Sequence, residues 1–165
     1  MYISLSIFSK NNSVSNNCDL IFSRAALNDK IESASQNKQM GVQFEANVAK
    51  QLGELVKAFR KEIFIERRII AEIDIETEKF LIEIKSGLIK NIELKNLIKL
   101  IEDKRINPEG KQVIIFTAQP WNLDQIKAFK DNGFITFDNI NSLIEYISNR
   151  EKLYGLQNYS NSSQQ

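Results

Sequence analysis

The sequence predicts an α/β domain, a mixed β-sheet flanked by helices. Apolar spacing switches between helical and strand-like periods along the chain, in the order α-β-β-β-α-β-α-β-α. One run, Gln112 to Thr117, is apolar almost throughout, as in a strand buried on both faces. The 165 residues, 42% of them hydrophobic, suit a single compact core and leave little room for a second.

Residues 1–40 are rich in Asn, Ser and Gln, as in Lys10-Asn11-Asn12-Ser13-Val14-Ser15-Asn16-Asn17. Such a composition buries too little apolar area to offset its ordering entropy. This stretch is expected to be an appendage or linker, with a short strand at Tyr2 to Phe8 and a weak helix at Leu20 to Glu32. The α/β domain is expected over 41–150. Gly41 to Phe59 carries Phe44, Val48, Leu52, Leu55, Val56 and Phe59 at helical spacing. Glu62 to Arg67 is a β-branched and aromatic run. Ile69 to Ile75 and Lys79 to Lys85 both alternate, separated by a turn at Glu76-Thr77-Glu78.

Ile92 to Lys104 returns to helical spacing, with Leu94, Leu97, Ile98 and Ile101 on one stripe, and Asn107-Pro108-Glu109-Gly110 is a turn. After the strand at 112–117, Leu123 to Lys130 reads as a helix closed by Asn132-Gly133. Phe134 to Phe137 is a short strand. Asp138 or Asn139 then caps a last helix through Ile147. The polar tail, 151–165, is expected to fray.

Composition excludes several chemistries. There is no histidine, so no Ser-His-Asp or Cys-His triad and no HExxH metalloprotease. A metal, if used, is a hard ion held by oxygens. Cys18 is the single cysteine, so no internal disulfide forms, and its thiol has no evident role. With 22 basic and 21 acidic residues, any polyanion must be met through a local patch. No stretch is long enough for a membrane span, and Met1 to Phe8 makes a poor signal peptide.

The acidic residues on the predicted elements carry the chemistry. Glu83 and Lys85 point to one face of their strand, Ile82 and Ile84 to the other. Asp74 ends the preceding strand. A tight turn at 76–78 would pair Asp74 nearer Lys79 than Glu83, so bringing the two acids together requires an offset, a bulge or another pairing. Glu45 lies on or beside the apolar stripe of the first domain helix, where an inward charge needs a cation or metal.

This ordered set, Glu45, Asp74 and Glu83-Ile84-Lys85, resembles the PD-(D/E)XK nuclease superfamily over about residues 41–118. The Gly41-Val42-Gln43-Phe44-Glu45 opening and Ser86-Gly87 after the lysine add to the likeness. Ile73 stands where many members have proline. The resemblance implies a restriction-endonuclease-like core of order αβββαβ, here followed by αβα. It implies a nuclease that hydrolyses phosphodiester bonds of DNA, or of RNA including tRNA, with Mg²⁺ as cofactor and Mn²⁺ able to substitute. Asp74 and Glu83 would hold the metal, with the Ile84 carbonyl as a further ligand. Lys85 would position the attacking water or stabilise developing charge. Glu45 would reach the metal directly or through water, or hold Lys85.

Arg67, Arg68, Lys95 and Lys99 are candidates for phosphate contact, against the plainer reading of a solvated face. Trp121 either stacks on a base or packs at a helix start. The polar leader resembles that of bacterial toxin nucleases. That kinship implies secretion or delivery, cytoplasmic action and an immunity protein as partner. A restriction, repair or homing enzyme fits equally, and a homodimer is among the partners the resemblance allows. The alternative from another class is a non-catalytic module binding nucleic acid or protein on the same scaffold.

Overall fold

The computed structural model describes residues 12–86, 91–117, 119 and 122–162, with side chains over 23–86, 93–117, 119 and 122–152. The strand expected at 2–8, Trp121, Gly87 and the side chain of Cys18 lie outside the described residues. The elements are α1 (Asn12–Ser35), α2 (Met40–Leu52), β1 (Ala58–Ile65), β2 (Arg68–Glu76), β3 (Phe80–Lys85), α3 (Asn91–Glu102), β4 (Gln112–Thr117), α4 (Leu123–Asp131), β5 (Ile135–Phe137) and α5 (Ile140–Ser162). The chain is an α/β protein with one five-stranded mixed sheet, ordered β1-β2-β3-β4-β5. β1, β2 and β3 run antiparallel, whereas β4 pairs parallel to β3 and β5 parallel to β4. Each parallel step needs a helical crossover, which α3 and α4 supply.

Two apolar layers bury the sheet. On one face Ile75, Phe80, Ile82, Ile84, Ile114 and Phe116 pack with Ala46, Val48 and Leu52 of α2, Ile31 of α1, and Leu143 and Ile147 of α5. On the other, Leu81, Val113 and Ile115 pack with Leu97 and Leu100 of α3 and Phe129 of α4. Because β3 and β4 are covered on both sides, all but their end residues are buried, as the apolar run at 112–117 predicts.

Three expectations are corrected. The helix expected to run to Phe59 stops at Leu52, because Gly53 takes φ +56°, a conformation that ends the helix and that a side chain rarely adopts. The released chain starts β1 early, at Ala58, and β1 ends at Ile65 before the Glu66–Arg67 turn. The segment expected as an appendage contains α1, a helix of 24 residues. Its C-terminal half offers Ile31 to the core, with Leu27 and Ala34 packed beside it. Three apolar residues at helical spacing were enough, since the domain presented a face to receive them. α5 continues past Ile147, where the last helix was expected to end, to Ser162.

The β2–β3 turn is also displaced from the expected one. Thr77 N donates to the Phe80 carbonyl at 2.9 Å, and Phe80 N donates to the Thr77 hydroxyl at 3.2 Å. The loop is therefore Glu78–Lys79, and the register is Glu76 opposite Leu81 and Ile75 opposite Ile82. Continued by one residue, that register sets Asp74 against Glu83, with no bulge in the turn.

If α1 belongs to the domain, Ile31→Ala lowers unfolding stability by about 2–3 kcal/mol in urea melts. Asp29→Ala, on the exposed side of the same helix, changes it by less than about 0.5 kcal/mol.

Candidate active site

The sheet opens at Asp74. On one side, the β2–β3 ladder stops at Ile75–Ile82, and the Asp74 carboxylate replaces a backbone partner: Ile84 N donates to Asp74 Oδ2 at 2.7 Å. On the other side, Phe59 pairs with Ile75 and Lys61 with Ile73, but Arg60, opposite Asp74, drops out of the ladder. Arg60 has φ +45°, strained for a residue with a side chain and costing of order 1–3 kcal/mol. Ile73 faces one apolar layer and Ile75 the other, so the alternation of β2 breaks at Asp74.

Glu83 and Lys85 share the sheet face opposite Ile82 and Ile84, as the strand alternation predicts. Lys85 Nζ lies 3.3 Å from Glu83 Oε2. Glu83 is buried, with a side chain only 6% exposed, and its Oε1 has no hydrogen-bond partner. On α2, Glu45 Oε2 sits 3.5 Å from Arg60 Nη1, an ion-pair contact without a hydrogen bond. Arg60 Nη2 reaches Glu72 Oε1 at 2.8 Å. The predicted residues Glu45, Asp74, Glu83 and Lys85 thus form one electrostatic cluster. Glu72 joins it without having been foreseen, and Arg60 joins it as the ion-pair partner of Glu45 and Glu72. Both sit on strands where an alternating charge reads as a solvated face, so only the Arg60 kink reveals them.

Burial and mutual repulsion perturb Glu45, Asp74 and Glu83. Burial, then the Asp74 charge, pushes Glu83 up to about 8, against the pull of Lys85. Burial and Asp74 likewise raise Glu45 to about 7, with Arg60 opposing. Burial raises Asp74, although the Ile84 N–H works the other way. Burial alone would lower Lys85, as the sequence allowed, but the Glu83 and Asp74 carboxylates outweigh it and hold the ammonium above its ordinary value. Lys85 is therefore a charged group at neutral pH.

Glu76, two residues from Asp74, shows what a satisfied buried acid looks like. Lys61 and Lys111 each reach its carboxylate at 2.6 Å. Burial pushes its pKa up, yet the two ammoniums prevail and hold it below the ordinary value. In the cluster, by contrast, Glu45, Glu72, Asp74 and Glu83 face only Arg60 and Lys85. Were all of them ionised, the cluster would be short of positive charge; the raised pKa values relieve that shortage by protonation unless a cation is bound.

The donor set suits a hard ion in part. Among the described residues, no three His, Cys, Asp or Glu side chains converge into a ready metal cage. The three-carboxylate set expected from the sequence is thus not closed; Glu45 is held aside by Arg60. Two acids, with a buried Glu83 Oε1 that has no hydrogen-bond partner, match an ion such as Mg²⁺, which keeps several waters and takes only one or two carboxylates. Ile84 enters through its N–H, donated to Asp74.

A cleft of about 370 Å³ adjoins the cluster, lined among others by Glu72, Glu83, Lys85, Glu93, Asn96 and Lys99. Lys99 thus borders the site, whereas Lys95, one turn away, is exposed and is not in the cleft lining. Arg67 and Arg68 are exposed at the tip of the β1–β2 hairpin. Six residues of strand separate Arg68 from Asp74, about 20 Å at the usual rise. The structure does not bring them to the carboxylates. No helix among the described residues is long and apolar enough to cross a membrane. No family model, curated protein or solved structure matches the chain.

The raised acids make stability pH-dependent. Carboxyls whose folded pKa lies above the unfolded value hold their protons more tightly when folded, so their contribution is present below about 4.5 and lost as pH rises through about 8. In EDTA, urea melts should show stability falling from pH 5 to pH 8, and Glu83→Gln should flatten that fall. A profile unchanged by Glu83→Gln contradicts this electrostatic reading.

Proposed function

We propose that the chain is a Mg²⁺-dependent nuclease of the PD-(D/E)XK kind, hydrolysing phosphodiester bonds in DNA or RNA. The observation that carries this reading is the buried Asp74–Glu83 pair with Lys85 beside it and an unpartnered Glu83 oxygen. Burial favours the protonated forms of both acids, and a divalent cation bound between them would favour ionisation and use the unpartnered oxygen. Fold and residue types together favour this reading over that of a solvated ion pair, since the acids are buried and under-compensated.

Asp74 and Glu83 would hold the ion, with the Ile84 carbonyl as a possible added ligand and Glu45 acting at longer range. A bound Mg²⁺ supplies Lewis-acid stabilisation of the phosphoryl oxygens and a more acidic water. The chain's own groups divide the remaining work. Lys85, held protonated, offers its ammonium to a non-bridging phosphate oxygen and stabilises charge that develops there. It is unsuited to the role of general base in that state. Glu45, raised to about 7, can take a proton near neutral pH. The Asp74–Ile84 hydrogen bond keeps Glu83 and Lys85 in register with Asp74.

Lys99, on the cleft rim, fits contact with a phosphate next to the scissile one. Arg67, Arg68 and Lys95 would engage only a substrate long enough to extend beyond the cleft. DNA is the favoured substrate, with RNA a close second. An immunity protein as partner, a homodimer, and delivery of the chain to another cell's cytoplasm belong to the toxin or restriction variants of this proposal.

Purified chain with Mg²⁺ should nick supercoiled plasmid or cut RNA, and EDTA should stop it. Glu83→Gln and Lys85→Ala should each reduce the rate by about 10²-fold or more with the circular dichroism spectrum retained. If the wild type cuts neither polymer while binding nucleic acid or a protein, a non-catalytic module replaces the nuclease.

A further inference from the structure

Among the described side chains of the first helix, the Lys30 ammonium reaches the cluster. Lys30 Nζ donates to the Phe59 carbonyl at 2.7 Å and to the Arg60 carbonyl at 2.8 Å. These carbonyls flank and follow the left-handed residue of β1. Further along, Arg24 donates to the carbonyls of Val56 at 2.7 Å and Gly53 at 2.9 Å. Together the two side chains of α1 fasten the link from α2 into β1.

We propose that Lys30 is a positioning residue for the acidic site: by holding the kinked backbone at Arg60, it aims the guanidinium between Glu45 and Glu72. The inference rests on the reading of this cluster as the working site. Its physical basis is the direction of the Arg60 side chain. In a regular strand φ is negative and successive side chains alternate between faces. A residue released from φ +45° relaxes toward the extended region, restores a ladder position opposite Asp74 and turns its side chain away. The 2.8 Å contact to Glu72 and the 3.5 Å contact to Glu45 would then be lost. Glu45 would keep its burial but lose its one ion-pair contact, and would move or take up a proton.

Lys30 is not needed merely to attach α1. Ile31 already buries itself in the core, and Arg24 makes its own two carbonyl contacts and an ion pair with Glu54 at 3.3 Å. Arg24 is therefore the control: it fastens the same helix without touching Arg60.

The experiment compares Lys30→Met, Lys30→Arg, Arg24→Met and Arg60→Met in the full chain, together with the Lys30→Met/Arg60→Met double variant. Thermal midpoint, Mg²⁺-dependent plasmid cleavage and the ¹⁵N spectrum of the Arg60 guanidinium are read for each. Lys30→Met should lower kcat by about tenfold with KM held within about twofold, and Lys30→Arg should restore it. Arg24→Met should lower the thermal midpoint at least as much while leaving kcat in place. In the Arg60→Met background, Lys30→Met should have no further effect on kcat. Equal losses of kcat in Lys30→Met and Arg24→Met, or an undiminished loss in the Arg60→Met background, overturn the proposal.

If the wild type cuts nothing, the nuclease reading fails, and positioning is decided by the guanidinium spectrum alone. Resolved Nη signals in the wild type that average in Lys30→Met but persist in Arg24→Met support it. Signals unchanged by Lys30→Met overturn it.

Discussion

One hydrogen bond organises this protein: the Ile84 amide donating to the Asp74 carboxylate at 2.7 Å. It puts a side chain where a neighbouring strand would otherwise offer a carbonyl. β2 and β3 therefore part company at that point instead of continuing their ladder. The gap admits the acids of both strands and the cleft beside them. The same bond also fixes cost, since a carboxylate that accepts a buried amide is itself carried out of water. Much of the site's unusual electrostatics follows from that placement.

The charge distribution separates two kinds of buried acid. Glu76 and Asp74 lie on one strand, both buried, and differ in what surrounds them. Two ammoniums close on Glu76, and the result is a locked ion cluster under the β2–β3 hairpin. Glu83 has one ammonium beside it, Lys85 at 3.3 Å, Asp74 accepts the Ile84 amide, and burial makes both acids hold their protons more tightly. Buried charge is tolerated only when paired, so the second arrangement favours protonated carboxyls and, in the proposed reading, would ionise on binding a cation. Strain at Arg60 belongs to the same arrangement, because a relaxed strand would leave Glu45 without its guanidinium.

Much of this was legible in the residues. Period-2 alternation put Glu83 and Lys85 on one face, and the continuous apolar run from 112 to 117 announced a doubly covered strand. The helical stripe around Glu45 brought that acid to the sheet. What escaped depended on single side-chain contacts. The Thr77 hydroxyl capping Phe80 N shifts the hairpin and so decides the partner of Asp74, and no periodicity encodes that. The helix expected at Leu20 to Glu32 lies within α1, but its greater length and its packing onto the domain escaped, because its composition is polar and its apolar residues are few; they suffice only against a face already built by α2 and β1. Arg60 and Glu72 read as ordinary surface charges until the backbone turns at Arg60. Lys95 and Lys99 are alike in sequence, yet only Lys99 borders the cleft.

The most direct measurement is diffraction from crystals soaked in Mn²⁺, with anomalous maps at the manganese edge. The account predicts a single strong peak within coordination distance of both the Asp74 and Glu83 carboxylates, with the Glu83 oxygen that now lacks a partner among its ligands. A clean map at that place, in crystals where the two carboxylates and Lys85 keep their present positions, would contradict it.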